Sequence, residues 1–214
     1  MSFLNQLKSQ ASALQNQQHE PQNLAALTQA CELACTLTYK YFDDLARQLN
    51  VLQPATPKLS VDGKTQWPAM KMKSFMADSR KTMLRGKEAY VYVAMGWDMA
   101  PAVGGKLVGS VKVNFPPDLE RVQKRLDCGA VKHERKDVRD PATNKLLAYE
   151  FVYECLGRGS IMVEPEHDTG QIKFRLLNLT GFEVINTVYP AVKVDTALLD
   201  ELAKLLVGQP SRFV

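Results

Sequence analysis

Acidic and imidazole side chains gather most tightly in the stretch EPEHDTG, at Glu164, Glu166, His167 and Asp168. A carboxylate beside an imidazole can move protons or hold a cation, provided the group lines a cleft. The same run is also ordinary turn chemistry, because Asp-Thr-Gly accepts backbone N–H groups and tolerates the left-handed conformation. A second candidate is MGWDM, where Trp97 and Asp98 end a strand-like run and lead into a loop bearing Pro101, Gly104 and Gly105. Pockets open in such places. With Tyr149, Tyr153 and Arg158, these two residues are the expected lining of a pocket between a sheet and a covering helix.

A third candidate is the stretch KMKSFMADSRKTMLRGK. Residues 58–87 hold eight Lys/Arg against two Asp, and residues 121–139 hold seven against three acids. Gathered on one side of a fold, these blocks would attract phosphates and lose affinity as salt rises. Lys71, Lys73, Arg80, Lys81 and Arg85 are then the candidate phosphate contacts. Against this, Phe75 is the only aromatic in the stretch, so bases have little to stack on. No helix-turn-helix, zinc-finger or RNA-recognition signature accompanies it. The favoured expectation for the stretch is a solvated connector, with nucleic acid or an acidic protein partner as the alternatives.

Other chemistry lacks its usual equipment. Cys31 and Cys35 share a helical face, but a structural zinc site needs about four ligands and nothing nearby completes the set. No metal and no cofactor are expected. LGRGSIM resembles a nucleophile elbow only superficially, since Ser160 follows the second glycine instead of sitting between two. VDGKT ends like a phosphate-binding loop, yet its first glycine position is Lys58. Asp43 and Asp44 form a lone acidic pair, with Arg47 one helical turn on as a surface partner.

The elements that must position these residues follow from periodicity and punctuation. Ser2 can cap a first helix whose stripe is Phe3, Leu4, Leu7, Ala11 and Leu14. Pro21 breaks the pattern. A second stripe runs through Leu24, Leu27, Cys31, Ala34, Thr38, Tyr41, Leu45 and Leu52, widened by Thr28, Cys35, Phe42 and Leu49. Residues 1–52 therefore read as an antiparallel helical hairpin turned near Pro21, packed either on its own sheet or on a second subunit. Residues 58–214 read as an α+β domain. Asp62-Gly63 signals a hairpin turn, and EAYVYVAMGW and KLVGSVKVNF are β-rich. PPDLERVQKRLDCG is a short helix stopped at Gly129. VKHERKDV carries charge on both faces, as edge strands do. In LLAYEFVYEC the apolar positions alternate with Glu150 and Glu154. Further strand-like runs follow with turn chemistry between them, and an amphipathic helix spans about Asp195 to Val207. The expected fold is α+β: the hairpin, a largely antiparallel sheet of about seven strands, and the C-terminal helix.

The chain has 214 residues, 45% hydrophobic and 23% charged, with a formal charge of +4, which is an ordinary globular balance. No run approaches the roughly 18 apolar residues of a membrane span. The start MSFLNQLKSQ lacks the parts of a signal peptide, so four irregularly spaced cysteines are expected as reduced thiols in a cytoplasmic protein. The leading functional expectation is a non-catalytic interaction module, a homo-oligomer built through its N-terminal helices and open to a further protein partner. One alternative is a small-molecule or lipid site, with or without catalysis. The other is nonspecific nucleic-acid binding through the two basic blocks.

Overall fold

The structure is a computed structural model that describes the backbone from Phe3 to Val214 and the side chains from Asn23 onward. It is an α+β fold of three helices and eight antiparallel strands in two sheets. Helix α1 (Phe3–Leu52) is followed by β1 (Met70–Leu84), β2 (Lys87–Pro101), β3 (Val108–Val113) and α2 (Pro116–Cys128). Then come β4 (His133–Arg139), β5 (Leu146–Glu154), β6 (Gly157–Glu166), β7 (Gln171–Leu177), β8 (Val184–Pro190) and α3 (Thr196–Leu206).

The N-terminal end differs from expectation in two respects. The expected hairpin is one helix, continuous through Pro21. A proline inside a helix forfeits one hydrogen bond and crowds the preceding turn, at about 3 kcal/mol, which is why a break was expected there. The Ser2 cap and the first stripe lie outside the residues whose side chains are described. The second stripe packs on the chain's own sheet: Cys31, Cys35, Thr38, Phe42 and Leu49 are buried, whereas Leu52 at its end is 71% exposed.

The five-stranded sheet has the order β1-β2-β6-β7-β8, and a three-stranded sheet has the order β3-β5-β4. Helix α1 and helix α3 cover one face of the larger sheet. On that face Met72, Met95, Met99, Ile161, Phe174 and Leu176 are almost fully buried. Helix α2 starts with two prolines, carries Asp118 in its first turn and Arg125 in its last, and buries Val122 and Leu126. Gly129 caps it in the right-handed region, and Ala130 takes the left-handed conformation that the glycine was expected to supply. Helix α3 is capped by Asp195, whose carboxylate accepts from Leu198 N at 2.9 Å. Charged β4 is indeed an edge strand.

The basic stretch from Lys71 to Lys87 is no connector. It is strand β1 and the turn into β2, and Arg85 and Gly86 take the two positive φ values of a tight two-residue hairpin. Asp62-Gly63, expected to turn a hairpin, sits in a loop without strands. There Asp62 accepts from Lys64 N (2.8 Å) and Thr65 N (2.7 Å), closing an Asx-type turn on itself. Among the described residues no helix is long and apolar enough to cross a membrane.

Candidate functional site

On the second face of the five-stranded sheet, bordered at the β8 end by the last turns of α2, strand register decides what is displayed. Met76 pairs with Gly96, Gly96 with Ser160, Ser160 with Leu177, and Leu177 with Val184. Directly opposed residues point to the same side of a sheet. These five therefore form one uncharged row across all five strands. Lys73, Asp98 and Arg158 make the next row on one side. Asp78, Ala94, Met162 and Arg175 make the row on the other.

A groove of about 760 Å³ lies on this face, floored by Ala94, Gly96, Gly159 and Ser160 and walled by Met76 and Leu177. Its size falls within the range of ligand sites. The floor is low because Gly96 has no side chain. Met76 stands 71% exposed at its rim.

A bulge in β1 shapes the groove. Between Lys73 and Met76 the register slips, so Ser74 and Phe75 together oppose Trp97. Ser74 adopts φ 57°, the left-handed region. The bulge takes the Phe75 backbone out of the ladder, and the Asn50 side chain at the end of α1 replaces the missing strand. Its Oδ1 accepts from Phe75 N at 2.7 Å, and its Nδ2 donates to Phe75 O at 2.8 Å. Phe75 then turns its ring beneath the sheet to stack on Trp97, centroids 5.7 Å apart. Gly159 opposite makes room for the indole: a Cβ there would lie 2.3 Å from the ring.

The expected pocket residues divide. Trp97, Asp98 and Arg158 line this groove, with Arg158 Nε 3.4 Å from Asp98 Oδ1. Tyr149 and Tyr153 belong to β5 in the other sheet, where Tyr153 stacks on Trp67 at 5.6 Å and the Arg135 guanidinium lies over Tyr149 at 5.1 Å. The helix-facing side of the larger sheet is close-packed.

The acidic turn is a docking point. Glu166 pairs with Lys173 and accepts from Thr169, and these bonds hold its carboxyl below the usual range. Asp168 pairs with Arg85. His167 Nε2 is 2.9 Å from the Tyr90 carbonyl and 3.9 Å from Glu32, and its Nδ1 is buried without a partner among the described residues. Glu32 in turn accepts from Tyr90 N at 2.7 Å. The turn thus ties β6 and β7 to α1 and to the β1–β2 hairpin. Glu164, one strand position before Pro165, is exposed to solvent.

The candidate phosphate contacts divide as well. Lys71, Lys73 and Arg80 stand on the open face. Lys81 lies over the Tyr90 ring at 4.1 Å and 4.0 Å from Glu32, on the helix side. Arg85 donates to Thr28 Oγ1 at 2.8 Å besides pairing with Asp168. The second basic block sits on α2 and β4, away from the larger sheet's register. There Arg121 holds Asp118 at 2.7 Å and Arg125 donates to the Val61 carbonyl at 3.2 Å.

The four cysteines are unpaired. Burial, with help from Glu32, pushes the Cys31 thiol up to about 11 and the Cys35 thiol up to about 12. Burial also raises Cys128 and Cys155. A nucleophilic or metal-binding cysteine needs the opposite shift. Among the described residues no three His, Cys, Asp or Glu side chains are grouped to hold a metal ion.

Sequence reasoning missed Asn50, Met76, Gly96 and Leu177. Only Gly96 left a signal, as an isolated glycine inside a strand-like run, which marks a bulge or a close approach. Comparison with protein-family models, with curated proteins and with solved structures gave no match.

Proposed function

We propose that the protein is a non-catalytic binding module whose contact surface is the open face of the five-stranded sheet, centred on the groove over Gly96 and Ser160. The observation that carries this reading is the uncharged row from Met76 to Val184, with Met76 71% exposed and a groove open above Gly96 and Ser160. An apolar band rimmed by charge is the anatomy of an interaction site. The raised thiols and the tied-up His167 support a binding role over acid–base or nucleophilic chemistry. Four unpaired cysteines support placing it in a reducing compartment, the cytoplasm.

Self-association through α1 is part of the proposal. The seam around Phe42 is occupied by the chain's own sheet, so what supports a second subunit is Leu33, 65% exposed, together with the sequence stripe from Phe3 to Leu14.

The test is native mass spectrometry of the protein purified from the cells that make it, alongside Gly96→Val. A Cβ at position 96 meets only the Gly159 carbonyl at 3.9 Å, so a side chain can be started there without strain, and valine puts its methyl groups over the floor of the groove. Bound mass on the wild type that is missing from Gly96→Val is the expected result. A bare wild type, or a variant that keeps the same bound mass, overturns the reading. The same spectrum reports the assembly, and a single-chain mass at all concentrations removes self-association.

A further inference from the structure

The charges that surround the groove select among partners, a selection that rests on the binding role proposed for this face. Register and alternation put six cations on the open face: Lys71, Lys73 and Arg80 from β1, Arg158 from β6, and Lys173 and Arg175 from β7. Four carboxylates share it: Asp78, Asp98, Glu164 and Glu166. Asp98 faces Arg158, Glu166 holds Lys173, and Asp78 accepts from the Tyr92 hydroxyl at 3.0 Å. Among the described residues Asp78 and Glu164 have no ion-pair partner, against four cations that have none: Lys71, Lys73, Arg80 and Arg175. They flank the uncharged row on both sides, within a residue pair or two along the strands. Two residues along a strand span about 7 Å.

This pattern disfavours a second copy, because two such faces would bring cations against cations. It also disfavours nucleic acid. Among the described residues Tyr92 is the only aromatic that the register directs to this face near the groove, and its hydroxyl is held by Asp78. The rings of Trp97 and Phe75 are turned to the helix side and are 3% and 5% exposed. Bases would find phosphate contacts but no stacking platform. An acidic polypeptide with an apolar side chain needs no such platform. It needs a low apolar floor with unpaired cations on either side.

We infer that the open face docks an acidic protein segment that seats one apolar side chain on Gly96 and Ser160, between Met76 and Leu177, while its carboxylates meet Lys73, Arg80 and Arg175. The anchor fills the place where the sheet lacks a side chain, and the charges set its register.

A random short-peptide library displayed on phage, selected on the full chain, tests this. Enriched sequences are remade as labelled peptides and titrated by fluorescence anisotropy against the wild type, Gly96→Val and the double variant Lys73→Glu/Arg175→Glu. A single-stranded oligonucleotide is titrated in parallel. We expect Leu, Met or Phe flanked by Asp and Glu, with each variant weakening binding roughly tenfold or more and rising salt weakening it further. Both variants are checked for wild-type melting temperature, and the charge reversals lie on exposed or half-buried side chains that hold nothing else in place. Enriched peptides without acidic bias that still lose affinity for Gly96→Val would overturn the acidic partner while leaving the groove as the binding surface. Equal binding to Gly96→Val and wild type would overturn both. An oligonucleotide that binds more tightly than every selected peptide, or a selection that enriches nothing, overturns the inference.

Discussion

Gly96 and Gly159 lie on neighbouring strands, one register step apart, and a methyl group added to each would have opposite consequences. At Gly159 the new Cβ would lie 2.3 Å from the Trp97 ring, whose own position is fixed by Phe75. Overpacking of this kind costs about 1–3 kcal/mol. At Gly96 the nearest atom is 3.9 Å away, and replacing a strand glycine restricts the unfolded chain, worth about 0.4–1 kcal/mol. Thermal melts should therefore show Gly159→Ala well below the wild type and Gly96→Ala at or above it. The thiols give a pH-dependent prediction at the same scale. In the unfolded chain a cysteine ionises near pH ~8.5, whereas burial raises Cys35 to about 12. A raised folded value means stability that is complete below the unfolded value and is lost as pH rises towards the folded one. Urea titrations from about pH 8 upward should show a falling limb for the wild type that is shallower in Cys35→Ala. Parallel limbs would mean that Cys35 has no part in the alkaline loss.

At the scale of elements, the end of α1 and the bulge in β1 form one device. The bulge leaves the Phe75 N–H and carbonyl without a strand, and Asn50 serves both with its two amide atoms. Truncating Asn50 to alanine leaves a donor and an acceptor without partners beside a buried ring, a cost of about 1–3 kcal/mol. Because the bulge also positions Met76 and Phe75, Asn50→Ala should reduce the binding proposed for the open face as well as the urea midpoint. Asn50→Asp can accept from Phe75 N but cannot donate to Phe75 O, so it should fall between the two. A midpoint unchanged in both variants would show that the bulge holds itself. The local elements were largely legible in the sequence. The prolines that open α2, the extent of α3, the charged edge strand β4 and the alternation of β5 depend on neighbours a few residues away. The Asp62-Gly63 signal misled because an Asx turn and a hairpin turn use the same residues, and only flanking strands distinguish them. Arg85-Gly86 was overlooked because arginine gives little sign of a positive φ.

Across the whole molecule, two sheets meet at a corner. The chain passes from β5 to β6 with only Cys155 and Leu156 between them. Trp67 is wedged at the corner, stacked on Tyr153 of the smaller sheet at 5.6 Å and edge-on to Phe182 of the β7–β8 loop at 5.0 Å. Buried Asn178 ties the end of α2 to β6 of the larger sheet, donating to the Cys128 carbonyl at 2.9 Å and to the Arg158 carbonyl at 2.6 Å. Trp67→Ala should cost about 3–5 kcal/mol and separate the unfolding of the two sheets, so that near-UV and far-UV transitions no longer coincide. Coincident transitions in the variant would mean that Trp67 is not what couples them. The sequence by itself determined the α+β class, the antiparallel strands, the C-terminal helix, the edge character of β4 and the apolar seam of α1, because each is written in spacings shorter than one element. Which residues share a face was decided by tertiary structure alone. Met76, Gly96, Ser160, Leu177 and Val184 stand side by side through register between strands far apart in the chain, and one slipped residue at Ser74 changes every side chain beyond it from one face to the other. The same physics separated Tyr149 and Tyr153 from Trp97: each was placed correctly on a strand, but the strands lie in different sheets.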